Sequence, residues 1–187
     1  MKPDLSLLSD GDLAGRSVAG DDDAFAEIMR RHRQRLYRLI RASVSDADEA
    51  LDLVQETFIS AHAALKRFDR DRPMAAWLAR IAINKCRDWG RRRAVRRLFG
   101  LLTPVEDIAD IHADDRPLQD AEVADRAELT RLSRAIAALP ASQREPLLLC
   151  SIDGLSQAEA AGILSISEKA VETRIRRARI RLAELLG

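Results

Sequence analysis

Two serines eleven residues apart, Ser156 and Ser167, constrain this chain more than any other feature. Ser156-Gln157-Ala158-Glu159 has capping-box spacing, in which an N-cap serine and a glutamate three residues on satisfy each other's backbone N–H groups. That predicts a short helix over 157–164. Ser167 stands where it caps a second helix over about 168–186, ~28 Å long at 1.5 Å per residue. Only Ser165-Ile166-Ser167 lies between them, and Asp153-Gly154 marks a turn before them. Two consecutive capped helices at this spacing form a helix-turn-helix signature, whose second helix enters the major groove of DNA.

The second helix has faces suited to that task. Val171, Ile175, Ala178, Leu182 and Leu185 recur at four–three–four–three spacing, one continuous apolar stripe. The remaining surface carries Lys169, Arg174, Arg176, Arg177, Arg179 and Arg181. Arginine pairs bidentately with guanine edges or clamps phosphates. Glu172 and Thr173 add groups for cytosine amino groups or phosphates. An arginine-rich amphipathic helix alone describes many soluble surface helices; the capped pair in front of it tips the balance to DNA.

The rest of the chain also reads as helix. It has seven aromatic residues and eight glycines, and alanine, leucine and arginine dominate. Phe25, Ile28, Met29, Leu36, Leu39 and Ile40 predict a helix over 23–44 with a solvated arginine row between them. Asp46 and Glu49 resemble a capping box for the next helix, with Leu51, Val54, Phe58, Ala61 and Leu65 as its apolar stripe. Asp48, Asp52, Gln55, Glu56 and Ile59 fall away from that stripe. A third helix starts after Pro73 and ends in the run from Arg87 to Arg93. Further on, Leu129, Leu132, Ile136 and Leu139 give a helix stopped by Pro140. Pro146 predicts a kink or a late start for the helix leading to Ser151.

The chain of 187 residues carries a net charge of only +1, which taken alone speaks against a nucleic-acid partner. By segment the charge is +5 over residues 1–97, −7 over 98–128 and +3 over 129–187. Two basic modules flank an acidic connector, the footprint of a bipartite nucleic-acid binder. The expected fold is all-α: an N-terminal extension (1–19), a helical domain (20–97), an acidic linker (98–128) and a helix-turn-helix domain (129–187).

Other classes fall away. No apolar run approaches the ~18–20 residues a bilayer span needs. The acidic N-terminus has no signal-peptide pattern. Cys86 and Cys150 make no disulfide framework, so a reducing cytoplasm is expected, with each thiol a small buried hydrophobe. His32, His62 and His112 are scattered, no Cys/His spacing suits a metal, and no glycine-rich phosphate loop occurs. Neither an enzyme nor a bound metal or cofactor is expected.

Three linked stretches resemble a known family. Asp48-Glu49-Ala50-Leu51-Asp52-Leu53-Val54-Gln55-Glu56-Thr57-Phe58 looks like the core-polymerase-binding helix of extracytoplasmic-function (ECF) sigma factors. Trp77-Leu78-Ala79-Arg80-Ile81-Ala82-Ile83-Asn84, with Asp88 and Arg91-Arg92-Arg93, resembles their promoter-melting and −10 reading segment. Leu139-Pro140-Ala141-Ser142-Gln143-Arg144-Glu145, then Gly154-Leu155-Ser156 and the run from Arg174 to Arg179, resembles their −35 reader. The resemblance covers about residues 20–97 and 129–185.

What the resemblance implies is an alternative sigma factor that directs promoter-specific initiation in a stress response under an anti-sigma factor. Asp48, Asp52, Gln55, Glu56 and Ile59 would dock on the clamp helices of the RNA polymerase core. Trp77, Asn84, Arg87, Arg91, Arg92 and Arg93 would meet melted −10 DNA, with Asn84 facing an unstacked base and the arginines the phosphates. Lys169, Glu172, Thr173, Arg174, Arg176, Arg177 and Arg179 would contact the −35 duplex. Two alternatives have different signatures: a conventional helix-turn-helix regulator, and a sigma-like adaptor that sequesters an anti-sigma factor. The apolar Phe99-Gly100-Leu101-Leu102 stretch would dock on a partner or fold over a domain. Departures from the family pattern are Glu168-Lys169-Ala170 for a frequent Gly-Thr pair, Glu172 at a frequently basic position, and Ala160-Ala161, expected to loosen the first helix of the pair.

Overall fold

Four α-helices among the described residues begin where a side-chain oxygen takes a backbone amide that would otherwise be orphaned. A computed structural model describes residues 4–44, 46–99 and 120–187. Ser9 accepts from the Asp12 N–H at 3.1 Å and opens α1 (Asp10–Val18). Two aspartates begin α2 (Asp22–Val44), where the helix dipole favours negative charge. Asp46 accepts from the Glu49 N–H at 2.9 Å and opens α3 (Ala47–Ala64). The Asp46 N–H donates instead to the Val44 carbonyl, so only half of the expected box forms. Then come α4 (Met74–Leu98), α5 (Asp120–Ala137), α6 (Ala141–Ser151), α7 (Gln157–Leu164) and α8 (Glu168–Leu186). No strand occurs among the described residues.

The first four helices share one core. Leu13 of α1, Ile28, Leu39 and Ile40 of α2, Leu53 of α3, and Met74, Leu78 and Ile83 of α4 are fully buried. Phe25 and Phe58 meet edge to face with ring centroids 6.3 Å apart, joining α2 to α3. Before α1, a single 3₁₀ turn (Leu5–Leu7) is held by Arg31, whose guanidinium donates to the Leu5, Ser6 and Leu8 carbonyls at 2.8–3.0 Å. The same arginine binds Asp10 and Glu27. Part of the arginine row on α2 is thus structural rather than solvated.

Several expectations change. Leu51, counted in the apolar stripe of α3, is 40% exposed; Ala50, Leu53 and Thr57 complete the buried face instead. α4 does not end in the arginine run but continues through Gly90 to Leu98. α5 begins at Asp120, inside the segment whose composition suggested a linker. Leu129 and Leu132 on it are exposed, while Leu139 beyond it is buried. α6 starts at Ala141, so Pro146 lies buried inside the helix and does not delay it. Residues 100–119, which hold His112 and most of the acidic connector, lie outside the described residues, as do Gly100, Leu101 and Leu102.

The C-terminal helices follow the capping signals. Ser156 accepts from the Glu159 N–H at 3.2 Å, and the Ser156 N–H donates to Glu159 at 2.8 Å, a complete capping box. Ser165 then turns the chain at φ 56° and ψ 45°, and Ser167 caps α8 by accepting from the Ala170 N–H at 3.2 Å. Leu148, Leu149, Ala160, Val171 and Ala178 are buried at the centre of these helices, in a core continuous with that of the first four. Ala160 and Ala161 are both buried. α2 meets α5 and α6, and α4 meets α7, so the N- and C-terminal helices rest on each other.

Candidate functional site

Helical geometry sorts the candidate residues of α3 onto one strip. Residues 48, 51, 52, 55 and 59 follow at spacings of three and four, one side of a helix with 3.6 residues per turn. Asp48, Leu51, Asp52, Gln55 and Ile59 are all exposed there, Ile59 at 69%. Leu51 belongs to this strip although the sequence assigned it to the core. Glu56 stands apart: it is half-buried, and Lys85 of α4 lies 3.4 Å from its carboxylate. The strip mixes apolar and acidic side chains, which suits a protein surface rather than a phosphate backbone.

On α4 the rotation of ~100° per residue places Trp77, Arg80, Asn84, Arg87 and Arg91 within one arc. Trp77 packs against Phe68 with ring centroids 5.0 Å apart, and is half-buried. Asn84 is exposed at the middle of the arc. Arg87 forms a bidentate pair with Glu145 of α6 at 2.6 and 2.8 Å, which raises its pKa further above the ordinary value. Arg91 pairs with Asp88, and Arg92 is exposed at the edge. Arg93 faces the other way, with its guanidinium 5.2 Å from the centroid of the Trp89 ring. The structure therefore brings four of the six expected −10 residues onto one arc, sets Arg92 beside it and leaves Arg93 off it.

The outward side of α8 is cationic. Val171, Ile175 and Ala178 turn inward and are buried, whereas Leu185 at the far end of the stripe is exposed. Opposite them stand Lys169, Thr173, Arg176 and Arg177, with Glu172 at one edge. Arg174 and Arg179 lie on opposite flanks, and Arg174 is half-buried. The Thr173 hydroxyl donates to the Lys169 carbonyl at 2.8 Å, which fixes its rotamer on the helix. Among the described residues no carboxylate pairs with Lys169, Arg174, Arg176, Arg177 or Arg179. Cations left unpaired on a rigid helix are available to an external polyanion.

The cysteines sit elsewhere. Burial pushes the Cys86 thiol up to about 12, and the same effect raises Cys150. Both thiols are thereby kept protonated. No described helix is long and apolar enough to cross a membrane.

Comparison with known proteins gives the family. The sigma-70 region 2 model matches residues 28–108, and the sigma-70 region 4 model matches residues 129–182. The RNA polymerase sigma factor CnrH of Cupriavidus metallidurans is 41% identical over 180 residues, covering 93% of this chain and 92% of its own. Its structure in complex with the cytosolic domain of CnrY superposes with a TM-score of 0.69 over 95% of this chain and 96% of that one. The ECF sigma factor SigM of Mycobacterium tuberculosis is 35% identical over 96% of this chain and 85% of its own. Sigma factor RpoE of Bartonella quintana, solved with the anti-sigma factor NepR, is 29% identical, covers 87% of this chain and 96% of its own, and has a TM-score of 0.69. Regions 2 and 4 of such factors bind the polymerase core and promoter DNA, and the chain belongs to the ECF sigma factors of the sigma-70 family.

Proposed function

We propose that this chain acts in the cytoplasm, joins the RNA polymerase core through the exposed strip of α3 and delivers it to promoters read by α4 and α8. Asp48, Leu51, Asp52, Gln55 and Ile59 dock on the core, with Glu56 braced behind them by Lys85. Trp77, Asn84, Arg87, Arg91 and Arg92 face melted −10 DNA, where Asn84 offers an amide to an unstacked base. Lys169, Glu172, Thr173, Arg176 and Arg177 enter the −35 major groove, and Arg174 and Arg179 flank them toward the phosphates. The observation that carries this reading is the unpaired cationic face of α8 in the same chain as the region 2 strip, in the family's order. Recognition and strand capture do the work, without a covalent step.

Control by an anti-sigma partner is part of the proposal. Its support is that RpoE was solved with the anti-sigma factor NepR and CnrH with the cytosolic domain of CnrY. Transcription by purified core polymerase on promoter fragments tests the central claim. The expected result is specific starts that need this protein; failure to bind core, or starts at no defined position, overturns it.

A further inference from the structure

Helix α8 carries three carboxylates, and the middle one has no structural work. Glu168 stands in the first turn, where the helix dipole favours negative charge. Glu184 lies near the far end, ~18 Å along the axis from Glu172. Glu172 is exposed in the second turn. Lys169 stands three residues before it and Arg176 four residues after it, the spacings at which a glutamate pairs with a cation on a helix. Among the described residues Glu172 pairs with neither of them, and with no other cation. Glu159 and Glu145, by contrast, are spent in a capping box and an ion pair.

A free carboxylate is out of place on a face that meets a polyanion, because phosphates repel it. Its position along the helix resolves the conflict. In a helix-turn-helix the N-terminal residues of the second helix are the ones that meet base edges. Glu172 is ~6 Å from the start of α8, whereas Arg179 on the same flank is ~10 Å farther on. At the Glu172 depth a carboxylate is favourable only where a base offers it a hydrogen. The major-groove edges differ in that respect. Guanine shows two acceptors, and thymine an acceptor and a methyl group, none of which can donate. Adenine sets its N6 donor beside the N7 acceptor, so the second carboxylate oxygen would face a lone pair. Cytosine offers its N4 amino group with no acceptor beside it on its own edge.

We propose that Glu172 specifies a C·G base pair in the −35 element by accepting a hydrogen bond from the cytosine N4 amino group. The assignment rests on the reading of α8 as the −35 helix. Arg176, one turn further on and without a carboxylate partner, is free for the O6 and N7 atoms of a neighbouring guanine. The charge of Glu172 also acts against every other sequence. Where no amino group meets it, the carboxylate loses its water for nothing and keeps its repulsion from the phosphates. One side chain thus favours a single base pair and disfavours its competitors, which is how specificity exceeds affinity.

The test uses the full-length chain with core polymerase on promoter fragments randomised across the −35 element, with transcript yield read for every sequence. Wild type is expected to favour cytosine at one position by about tenfold over the other bases, the scale of one base contact. Glu172→Ala should flatten the preference at that position and leave the others in place. Glu172→Gln should move it toward adenine, since a glutamine amide both accepts from N6 and donates to N7. Alanine and glutamine are good helix formers, and the preferences retained at the other positions show that α8 is folded. A cytosine preference that survives Glu172→Ala, or its absence from wild type, overturns the assignment. So does a Glu172→Ala protein whose yield rises alike on all sequences, which would make Glu172 a source of repulsion only. If those results came with a wild type that directs specific starts, the assignment alone would fall. A wild type that directs no start would remove the sigma-factor reading and the assignment with it.

Discussion

The Lys85 ammonium on α4 lies 3.4 Å from the Glu56 carboxylate on α3, so the one acidic residue of the candidate docking set that points sideways is tied to the neighbouring helix. The two helices that serve different partners, polymerase and DNA, are joined by this pair. Half-exposed ion pairs contribute only ~0–1 kcal/mol. Glu56→Gln is therefore expected to lower stability by no more than that. Ile59→Asp, by contrast, changes a side chain that is largely exposed in the free chain. It should leave the unfolding midpoint in place and abolish retention by core polymerase in a pull-down. A matching loss of stability would move Ile59 from docking to folding.

The faces of α8 divide its arginines into two classes with different signatures. Arg177→Ala, on the outward face, should cost ~1–3 kcal/mol on the cognate −35 duplex and less on a scrambled one. Arg174→Ala and Arg179→Ala, on the flanks, should weaken both duplexes alike and reduce the slope of log K against log salt by about 1 each. Binding isotherms at several salt concentrations distinguish the classes. Equal behaviour of all three variants would refute the assignment by face.

Much of this fold was legible because it is written locally. Ser156, Glu159 and Ser167 announce two helix starts within a dozen residues, and the structure closes those bonds. Leu51 shows where local reading stops: a leucine at the edge of a stripe looks the same whether it faces a core or a partner. Gly90 and the arginines around it read as a helix end. The helix nevertheless persists, since a glycine costs only ~1 kcal/mol in a helix whose neighbours all propagate it. The partners of Arg35 and Arg87 were out of reach for a different reason, being 118 and 58 residues away along the chain. Nothing in periodicity or capping encodes such a meeting.

Strong acid should remove an ion-pair contribution from α2. Glu27 accepts from Arg30 at 2.6 and 2.7 Å and from Arg31 at 2.8 Å, which holds its carboxyl at about 2 instead of 4.5. A depressed folded-state pKa gives stability that is present above 4.5 and lost as pH falls through about 2. The urea midpoints of wild type and Glu27→Gln should differ by a constant amount above pH ~5 and converge toward pH ~2. A gap that persisted at the acid end would mean the carboxylate charge is not its cause.

Two glycines of α1 look alike in sequence and differ in what surrounds them. A Cβ on Gly11 would come within 2.8 Å of the Arg70 carbonyl oxygen, which belongs to the backbone. A Cβ on Gly15 would meet the Arg70 guanidinium at 2.6 Å, the movable end of a long side chain. Gly11→Ala is expected to destabilise by ~1–3 kcal/mol, the range for forced overpacking. Gly15→Ala should be close to neutral, because alanine also improves helix propensity. Denaturant titration of the two variants gives the comparison directly, and a larger loss at Gly15 would contradict it.

The unbroken course of α4 makes it a stiff lever. Its 25 residues form a rod ~37 Å long with no hinge at Gly90. Trp77 stands near one end, held against Phe68; beyond the other end Phe99 projects with 74% of its surface free. A load applied at Phe99 would turn Asn84 and Arg87 with it, because nothing between them can absorb a rotation.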